Sequence, residues 1–467
     1  MHDEYEINVG QLVDLGCLIQ EKIQAIVNES TNRSNTSGLA PSWALYSAKK
    51  TIISATGTLV ELVSDPSLRL MEYSGQYWES RALAIVAAKR IPDILSSSAT
   101  GVPLPHIAAK SGVECAKMGR ILRCLCSSHI LKEPEPDIFA NNRISSALVN
   151  NEPLRAYILM FHADLFSCAE HLPHTLFDRE WGPSYDVHKT AFQRAMGTSQ
   201  SRWEWLEGQP LENEGISEAW RTNYPGIPGQ ETVVKQSGAA FQQQRPELQL
   251  FSVAMVGGGR VTTRTHVEDY PWQDLGHATV VDVGGGVGGF MLELSKRYHC
   301  LKFVIQDTKA NIKLAKELIW PQEGLEAIRN EQVSFMEYDF FRPNPVQGAD
   351  VYWLRFILHD WADGYCHDIL SILREAMTAR SRLLICEQVM DTTADTITEA
   401  APQPLLANYG VYKRYSHQRD LDMMAIINGI ERTPAQFEKL FRQAGLQLTK
   451  VWPCRSQVSI MEVRHAL

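Results

Sequence analysis

The chain has 467 residues, 44% of them hydrophobic and 21% charged, with a formal net charge of -9. That is room for roughly two or three domains with large cores, in the composition range of an ordinary soluble globular protein. The acidic balance argues against nucleic acid or an anionic membrane surface as the main partner, because neutralising phosphates takes a basic surface.

Apolar positions at helical spacing (Val9, Leu12, Val13, Ile19, Ile23, Ile26) predict a helix over 5–28, and the polar run 29–42 reads as a linker. The same spacing returns from Trp43 to about Met71, through Ile52, Ile53, Leu59, Leu62 and Val63, and predicts a second helix. Between Trp78 and Val149 the pattern is helix (81–88), helix (104–111), helix (116–127), then Ile130-Leu131 and Ile138-Phe139 around Glu-Pro-Glu-Pro-Asp, which describes a winged helix. DNA binding is one use of that fold. Here Lys110, Lys117, Arg120, Arg123, Lys132 and Arg143 are offset by Glu114, Glu133, Glu135 and Asp137, so dimerisation or a scaffold role is expected. Residues 150–268 mix helical segments with Trp203, Trp205, Trp220 and Tyr224-Pro225, a supply of aromatic walls for a flat ligand. Phe251 to Met255 stands at the border of the next domain.

The run from Thr279 to Phe290 takes a β-branched strand into a glycine cluster, where Gly284, Gly286 and Gly288 are placed for positive φ and close approach of a ligand. Met291, Leu292 and Leu294 then open an amphipathic helix, making a nucleotide-binding crossover. Gly284, Gly286 and Gly289 also satisfy the dinucleotide fingerprint, with Asp307 about 20 residues on. Asp282 decides between the two readings: a carboxylate there repels a pyrophosphate but suits a ligand carrying an ammonium and a sulfonium, as S-adenosyl-L-methionine does.

Further strands are expected at 302–306, 332–335, 351–354 and 382–387, alternating with helices, and a final pair at 446–452 and 458–464. This is α/β alternation: a doubly wound, Rossmann-like C-terminal domain with an antiparallel edge hairpin, following a mainly helical N-terminal domain that contains the winged helix. The expected boundaries are 1–42 (helix and linker), 43–268 (winged-helix and pocket domain) and 269–467 (cofactor domain), with 391–403 as an inserted surface loop.

Nine scattered cysteines show no metal-ligand spacing and read as reduced thiols; no metal is expected. His171 and His174 flank a proline that should break helical presentation, and they read as structural. The acidic N-terminus is unlike a targeting peptide and no apolar run approaches membrane-spanning length, so a cytoplasmic protein with no membrane partner is expected.

Ligands in open α/β sheets sit beyond the carboxyl ends of the strands. There Asp307 can hold ribose hydroxyls, Asp339 can meet an adenine amino group, and Phe340 offers an apolar face to the ring; Arg355, His359 and Asp360 follow the next strand, and Glu387 the one after. In these segments the chain resembles the plant-type small-molecule O-methyltransferases, and more closely the fungal branch of sterigmatocystin-type polyketide O-methyltransferases. The segments that carry the resemblance are Val281-Asp282-Val283-Gly284-Gly285-Gly286, Ile357-Leu358-His359-Asp360-Trp361, Asn408-Tyr409-Gly410, Asp422-Met423-Met424 and Glu431-Arg432-Thr433-Pro434-Ala435-Gln436-Phe437. The resemblance implies a class I methyltransferase fold and a homodimer. It also implies a general base at His359 flanked by Glu387 and Glu431, cofactor contacts at Gly284, Asp307, Asp339 and Arg355, and substrate contacts at Met255 and Asn428; their places at the turn and after the strands add Asp282, Gly286 and Phe340 to the expected cofactor contacts and Asp360 to the expected substrate contacts. Arg355 stands where the family commonly has Lys.

Chemistry agrees. A phenol and an unassisted histidine differ by ~3.5 pKa units, or ~5 kcal/mol for full proton transfer in water, too much for an idle imidazole. A carboxylate on its far nitrogen narrows that gap. The expected activity is therefore S-adenosylmethionine-dependent methylation of a phenolic hydroxyl on an aromatic, polyketide-type secondary metabolite. Two alternatives stand beside it: an enzyme that uses the bound cofactor for a pericyclic or dehydrative step, and a winged-helix DNA-binding regulator.

Overall fold

A computed structural model describes residues 7–32, 40–208, 245–394 and 400–466. The chain forms two compact units, one made of Met1–Pro66 with Thr262–Leu467, the other of Ser67–Val261. The sequence expectation divides the chain at 42/43 and 268/269. In the structure the second helix belongs with the C-terminal sheet, and the long helix Pro246–Glu268, which ends at the expected 268/269 division, spans the 261/262 boundary between the two units.

Seven strands build the sheet of the first unit. Counting three short strands of the other unit as β1–β3, they are β4 (Thr279–Val283), β5 (Lys302–Asp307), β6 (Val333–Glu337), β7 (Val351–Arg355), β8 (Arg382–Gln388), β9 (Leu446–Pro453) and β10 (Val458–His465). Their order is β6-β5-β4-β7-β8-β10-β9. The first five are parallel; β10 runs antiparallel to β8, with Ile460 opposite Cys386, and β9 closes the edge. Each predicted strand is found within two residues of its expected ends, because fully buried strands are runs of β-branched and aromatic residues with little else to be mistaken for. Alternate side chains feed two cores: Val281, Val283, Tyr352, Leu354 and Ile385 pack with helices 363–376 and 434–443, while Val280, Trp353 and Leu384 pack with Trp272, Phe290 and Met291. Trp353 lies flat on Phe290 at 4.7 Å and edge-on to Trp272 at 5.3 Å, contacts worth about 0.5–1.5 kcal/mol each beyond their area.

Helices Val9–Asn32 and Trp43–Val63 pack on this unit through Leu15, Leu18 and Ala55 against Ala401, Leu405 and Tyr409. Two expectations are corrected here. The single helix from Trp43 to Met71 ends at Val63, and a new one, Pro66–Gly75, begins at Pro66, which has no N–H to give and bars the preceding residue from helical backbone. The segment 391–403 is not wholly a surface loop: residues 395–399 lie outside the described residues, but Ala401 is buried among the N-terminal helices.

In the second unit, helices Leu104–Ser111 and Cys115–Ser127 and strands β1 (Val102–Pro103), β2 (Leu131–Glu135) and β3 (Ile138–Asn141), ordered β1-β3-β2, form the expected winged helix around Ile107, Met118, Leu122, Leu131 and Phe139. Arg123 is committed within the wing, its Nη2 lying 2.6 Å from Glu133 and 2.7 Å from Asp137. Helix Phe166–Leu176 continues through Pro173 instead of breaking there, and His171 Nδ1 pairs with the Ser167 carbonyl at 2.9 Å. Trp220 and Tyr224-Pro225 fall outside the described residues. Among the described residues no helix is long and apolar enough to cross a membrane.

Candidate active site

The β4 strand turns into helix Gly289–Arg297 through Gly284, Gly286 and Gly288, all at positive φ (70°, 60° and 76°). At Gly284 a Cβ would lie 2.6 Å from Ile357 Cδ1 and 3.6 Å from the Phe340 ring; at Gly285 it would strike the Asp282 carboxylate at 2.4 Å. The glycine that lets the helix close on the sheet is Gly288, where a Cβ would meet Ile305 at 2.2 Å, whereas a Cβ at Gly289 meets nothing within 4 Å. The dinucleotide fingerprint assigns that packing role to its third glycine, here Gly289. The turn is therefore glycine-rich for a different reason.

Asp282 is buried under this turn. Burial raises its carboxyl to about 7, Arg355 opposing and Asp307 adding to the shift. Asp307, at the end of β5, accepts the Gly286 N–H through Oδ2 and the Thr308 N–H and Asn311 Nδ2 through Oδ1, each at 2.7 Å. Asp339 is exposed and accepts the Phe341 N–H at 3.0 Å. Phe340 stands edge-on to Trp361 at 6.0 Å. Arg355 donates from Nη2 to Thr262 Oγ1 (3.1 Å) and Thr263 Oγ1 (3.3 Å) and lies over the rings of Phe290 and Phe356.

The chain leaves β7 through a tight turn. Phe356 is left-handed (φ 55°), at a cost of roughly 1–3 kcal/mol for a non-glycine residue. Glu387 at the end of β8 secures it: Oε1 accepts the N–H groups of Ile357 (2.9 Å) and Leu358 (2.8 Å). The 3₁₀ turn Leu358–Asp360 then presents His359, buried, with Nδ1 2.8 Å from Glu431 Oε1 and Nε2 3.3 Å from Asp360 Oδ1. Ligand atoms of His359, Glu387 and Glu431 all lie within 4.8 Å of one another. The two acids expected beside His359 thus divide the task, Glu431 meeting the imidazole and Glu387 the backbone that carries it.

Three residues without a role in the sequence reading complete the loop. Arg432 is buried and bonds the carbonyls of Leu358 and Trp361 (both 2.7 Å) and Asp363 Oδ1. A Cβ at Gly429 would lie 2.2 Å from the His359 carbonyl, which accepts the Ile430 N–H at 2.8 Å. Arg419 Nη2 is 3.3 Å from His359 Nδ1. The Asn428-Gly429 pair is a turn signal in the sequence, but nothing there shows against which backbone it turns. Asn428, left-handed at φ 53°, caps helix Arg414–Ile427 beside it. Met255 lies in the other unit, on helix Pro246–Glu268, and is 40% exposed.

Burial works against a charged imidazole, but Glu431, Asp360 and Glu387 outweigh it and hold His359 up at about 9. Glu387 is pushed up to about 7, by burial first, with His359 opposing. Glu431 is held down: burial resists, and the imidazole prevails. Glu387 Oε2 and Glu431 Oε2 are buried without a hydrogen-bond partner among the described residues.

O-methyltransferase gedA of Aspergillus terreus is 49% identical to this chain, over 98% of it and 96% of the relative. The chain belongs to the O-methyltransferases. An O-methyltransferase domain matches residues 230–447 and an O-methyltransferase dimerisation domain residues 71–151, which include the winged helix. O-methyltransferase tpcA of Aspergillus fumigatus is 48% identical over 97% of this chain and 95% of its own. Among solved structures, that of LepI in complex with SAM superposes with a TM-score of 0.69 at 22% identity, covering 98% of this chain and 100% of that one, a likeness of fold.

The methyl donor of this O-methyltransferase is S-adenosyl-L-methionine, and the residues present fit it. The turn has no side chain at Gly284 or Gly285, where a Cβ would fill the space between Ile357, Phe340 and the buried acid. Asp307 offers a carboxylate for hydroxyls and Asp282 a negative charge close to neutrality, matched to a cationic ligand.

Proposed function

We propose that this O-methyltransferase methylates a phenolic hydroxyl of an aromatic, polyketide-type secondary metabolite, with His359 as general base. The observation that carries the reading is the buried His359–Glu431 pair, 2.8 Å apart, on the same carboxyl edge of the sheet as the glycine turn. When bound, S-adenosylmethionine supplies a methyl group already activated by its sulfonium charge. What is left to the protein is to align the acceptor oxygen and hold its proton. Asp307, Asp339 and Phe340 are assigned to the nucleoside, with Asp282, Gly284 and Gly286 around the charged end and Arg355 beside them. Met255, Asp360 and Asn428 are assigned to the acceptor. Glu431 fixes the tautomer so that Nε2 faces the acceptor, and the carboxylate raises the basicity of the ring.

A half-buried aromatic group suits a flat acceptor: Phe341 lies edge-on to Trp361 at 4.9 Å, and Tyr365 is 5.5 Å from Trp361. The winged helix is assigned to homodimer formation, since Arg123 is already spent within the wing. A reducing, cytoplasmic setting suits nine cysteines that form no disulfide among the described residues. Product mass separates this reading from a non-methylating use of the cofactor.

The test incubates purified protein with labelled cofactor and a panel of phenolic polyketides, comparing wild type with His359→Ala. The variant should bind cofactor normally and lose turnover by about 10²–10⁴-fold. Equal activity in both would remove the base assignment.

A further inference from the structure

A base at His359 has to be reset: the proton taken from each acceptor onto Nε2 must leave for water before the next one arrives. The surroundings oppose that departure. Glu431 Oε1 is 2.8 Å from Nδ1, Asp360 Oδ1 is 3.3 Å from Nε2, and Glu387 brings a third acid from β8 within 4.8 Å. These acids hold the imidazole proton against the pull of burial. Unopposed, they would keep the ring an imidazolium, which has no lone pair left to accept a proton.

Helix Arg414–Ile427 supplies the opposing charge. Arg419 Nη2 lies 3.3 Å from His359 Nδ1 and 3.8 Å from Glu431 Oε1, nearer the ring nitrogen than the carboxylate oxygen. A guanidinium that served only to neutralise Glu431 would take the closer place on the acid, at about 2.7–2.9 Å. It also lies over the Phe356 ring at 5.1 Å, and that ring stands 5.7 Å from the imidazole. The next residue, Asp420, accepts the Glu431 N–H at 2.8 Å, so one turn of helix places both the acid and the cation beside it. Arg432 is turned to Asp363 and the carbonyls of Leu358 and Trp361, and Arg355 to Thr262 and Thr263. A guanidinium stays charged throughout the working pH range, so its opposition to a charged imidazole is permanent. It repels the imidazolium at Nδ1 and draws on the Glu431 charge that stabilises it.

We propose that Arg419 is a positioning residue for methyl transfer: set beside Nδ1 and Glu431, it loosens the hold of the three acids on the imidazole, so that His359 gives its proton up between turnovers. This rests on the base reading above and adds the group that resets the base. The protons balance. The phenol's proton passes to Nε2 as its oxygen takes the methyl group, then goes from Nε2 to water once the product has left, while Nδ1 keeps its own proton on Glu431.

The test follows one phenolic acceptor across pH with wild type, Arg419→Gln and Arg419→Lys. In Arg419→Gln the acid limb of kcat/KM should move up by about one pH unit or more, a loss of roughly tenfold below the limb that is regained above it. Adenosylhomocysteine should bind as tightly as to wild type in calorimetry. Arg419→Lys keeps a charge, and its limb should move less than half as far. In full-length protein with ¹³C-labelled histidine, the NMR resonance that disappears in His359→Gln should titrate correspondingly higher in Arg419→Gln. A loss of rate that is the same at every pH, an unmoved His359 midpoint, or a lysine variant shifted as far as the glutamine one overturns the proposal. If wild type methylates no phenol, the functional reading falls by itself, and the NMR midpoints, read without turnover, still decide whether Arg419 governs the imidazole proton.

Discussion

Glu431 and Glu387 are the same residue type, both buried beside one histidine, yet the structure gives them different partners, and substitutions should separate them. Glu431→Gln removes the charge from Nδ1. His359 should titrate lower and kcat should fall by about 10²-fold with cofactor affinity retained, as read from turnover at saturating cofactor beside calorimetric binding. An unchanged kcat would show that Glu431 only packs. Glu387→Ala strips two charge-assisted hydrogen bonds from a turn whose first residue, Phe356, is left-handed. A loss of about 3 kcal/mol in denaturant unfolding is expected, with Glu387→Gln, which keeps a carbonyl acceptor, losing clearly less. The sequence could nominate both acids through the segments that resemble a known family. It could not say which atom each one meets, because that depends on a turn between β7 and the 3₁₀ element and on a side chain it presents, whose partners lie 30 and 72 residues further along the chain. Arg432 shows the same limit: it sits inside a recognised segment, and its partners are carbonyls that no side-chain pattern announces.

The glycine turn is where a single element decides between two ligands. Gly285→Ala would push a methyl group into the Asp282 carboxylate, while Gly289→Ala meets open space. Overpacking of that kind costs about 1–3 kcal/mol, so adenosylhomocysteine should bind roughly tenfold more weakly or worse to Gly285→Ala and nearly normally to Gly289→Ala in calorimetry. The reverse ranking would restore the dinucleotide reading, in which Gly289 is the packed position. At this scale the strands of the sheet were legible, since a run such as Val351–Arg355 buried on both faces has no competing pattern. Helix ends were less so. Pro66 started a helix, Pro173 sat within one, and Ala401 was buried by helices more than 300 residues earlier in the chain, a tertiary contact that local composition does not carry.

For the whole molecule, two properties follow from surface and charge. Leu70, Met71 and Trp78 are exposed at 73%, 69% and 62%, at the start of the region matched by the dimerisation domain. A cluster of this kind asks for a partner surface. Sedimentation should therefore give twice the 52.6 kDa chain mass, and Leu70→Glu or Trp78→Glu should shift it toward the monomer. Stability should also depend on pH in a definite sense. His359 titrates near 9 when folded against about 6.5 unfolded, so its stabilisation is complete below about pH 6.5 and is lost as the pH rises through 9. Asp282 and Glu387, both raised to about 7, act in the same direction at lower pH. Thermal unfolding of the cofactor-free protein should shift downward between about pH 6.5 and 9, and less steeply in His359→Gln. The account as a whole rests on methyl transfer to an aromatic hydroxyl at a histidine paired with a buried acid. Its most direct test is the mass of the product from a single turnover of phenolic acceptor, wild type beside His359→Ala with cofactor bound to both. The account predicts a methyl group gained with wild type and almost none with the variant; an unchanged mass with wild type, or equal methylation by the two proteins, would contradict it.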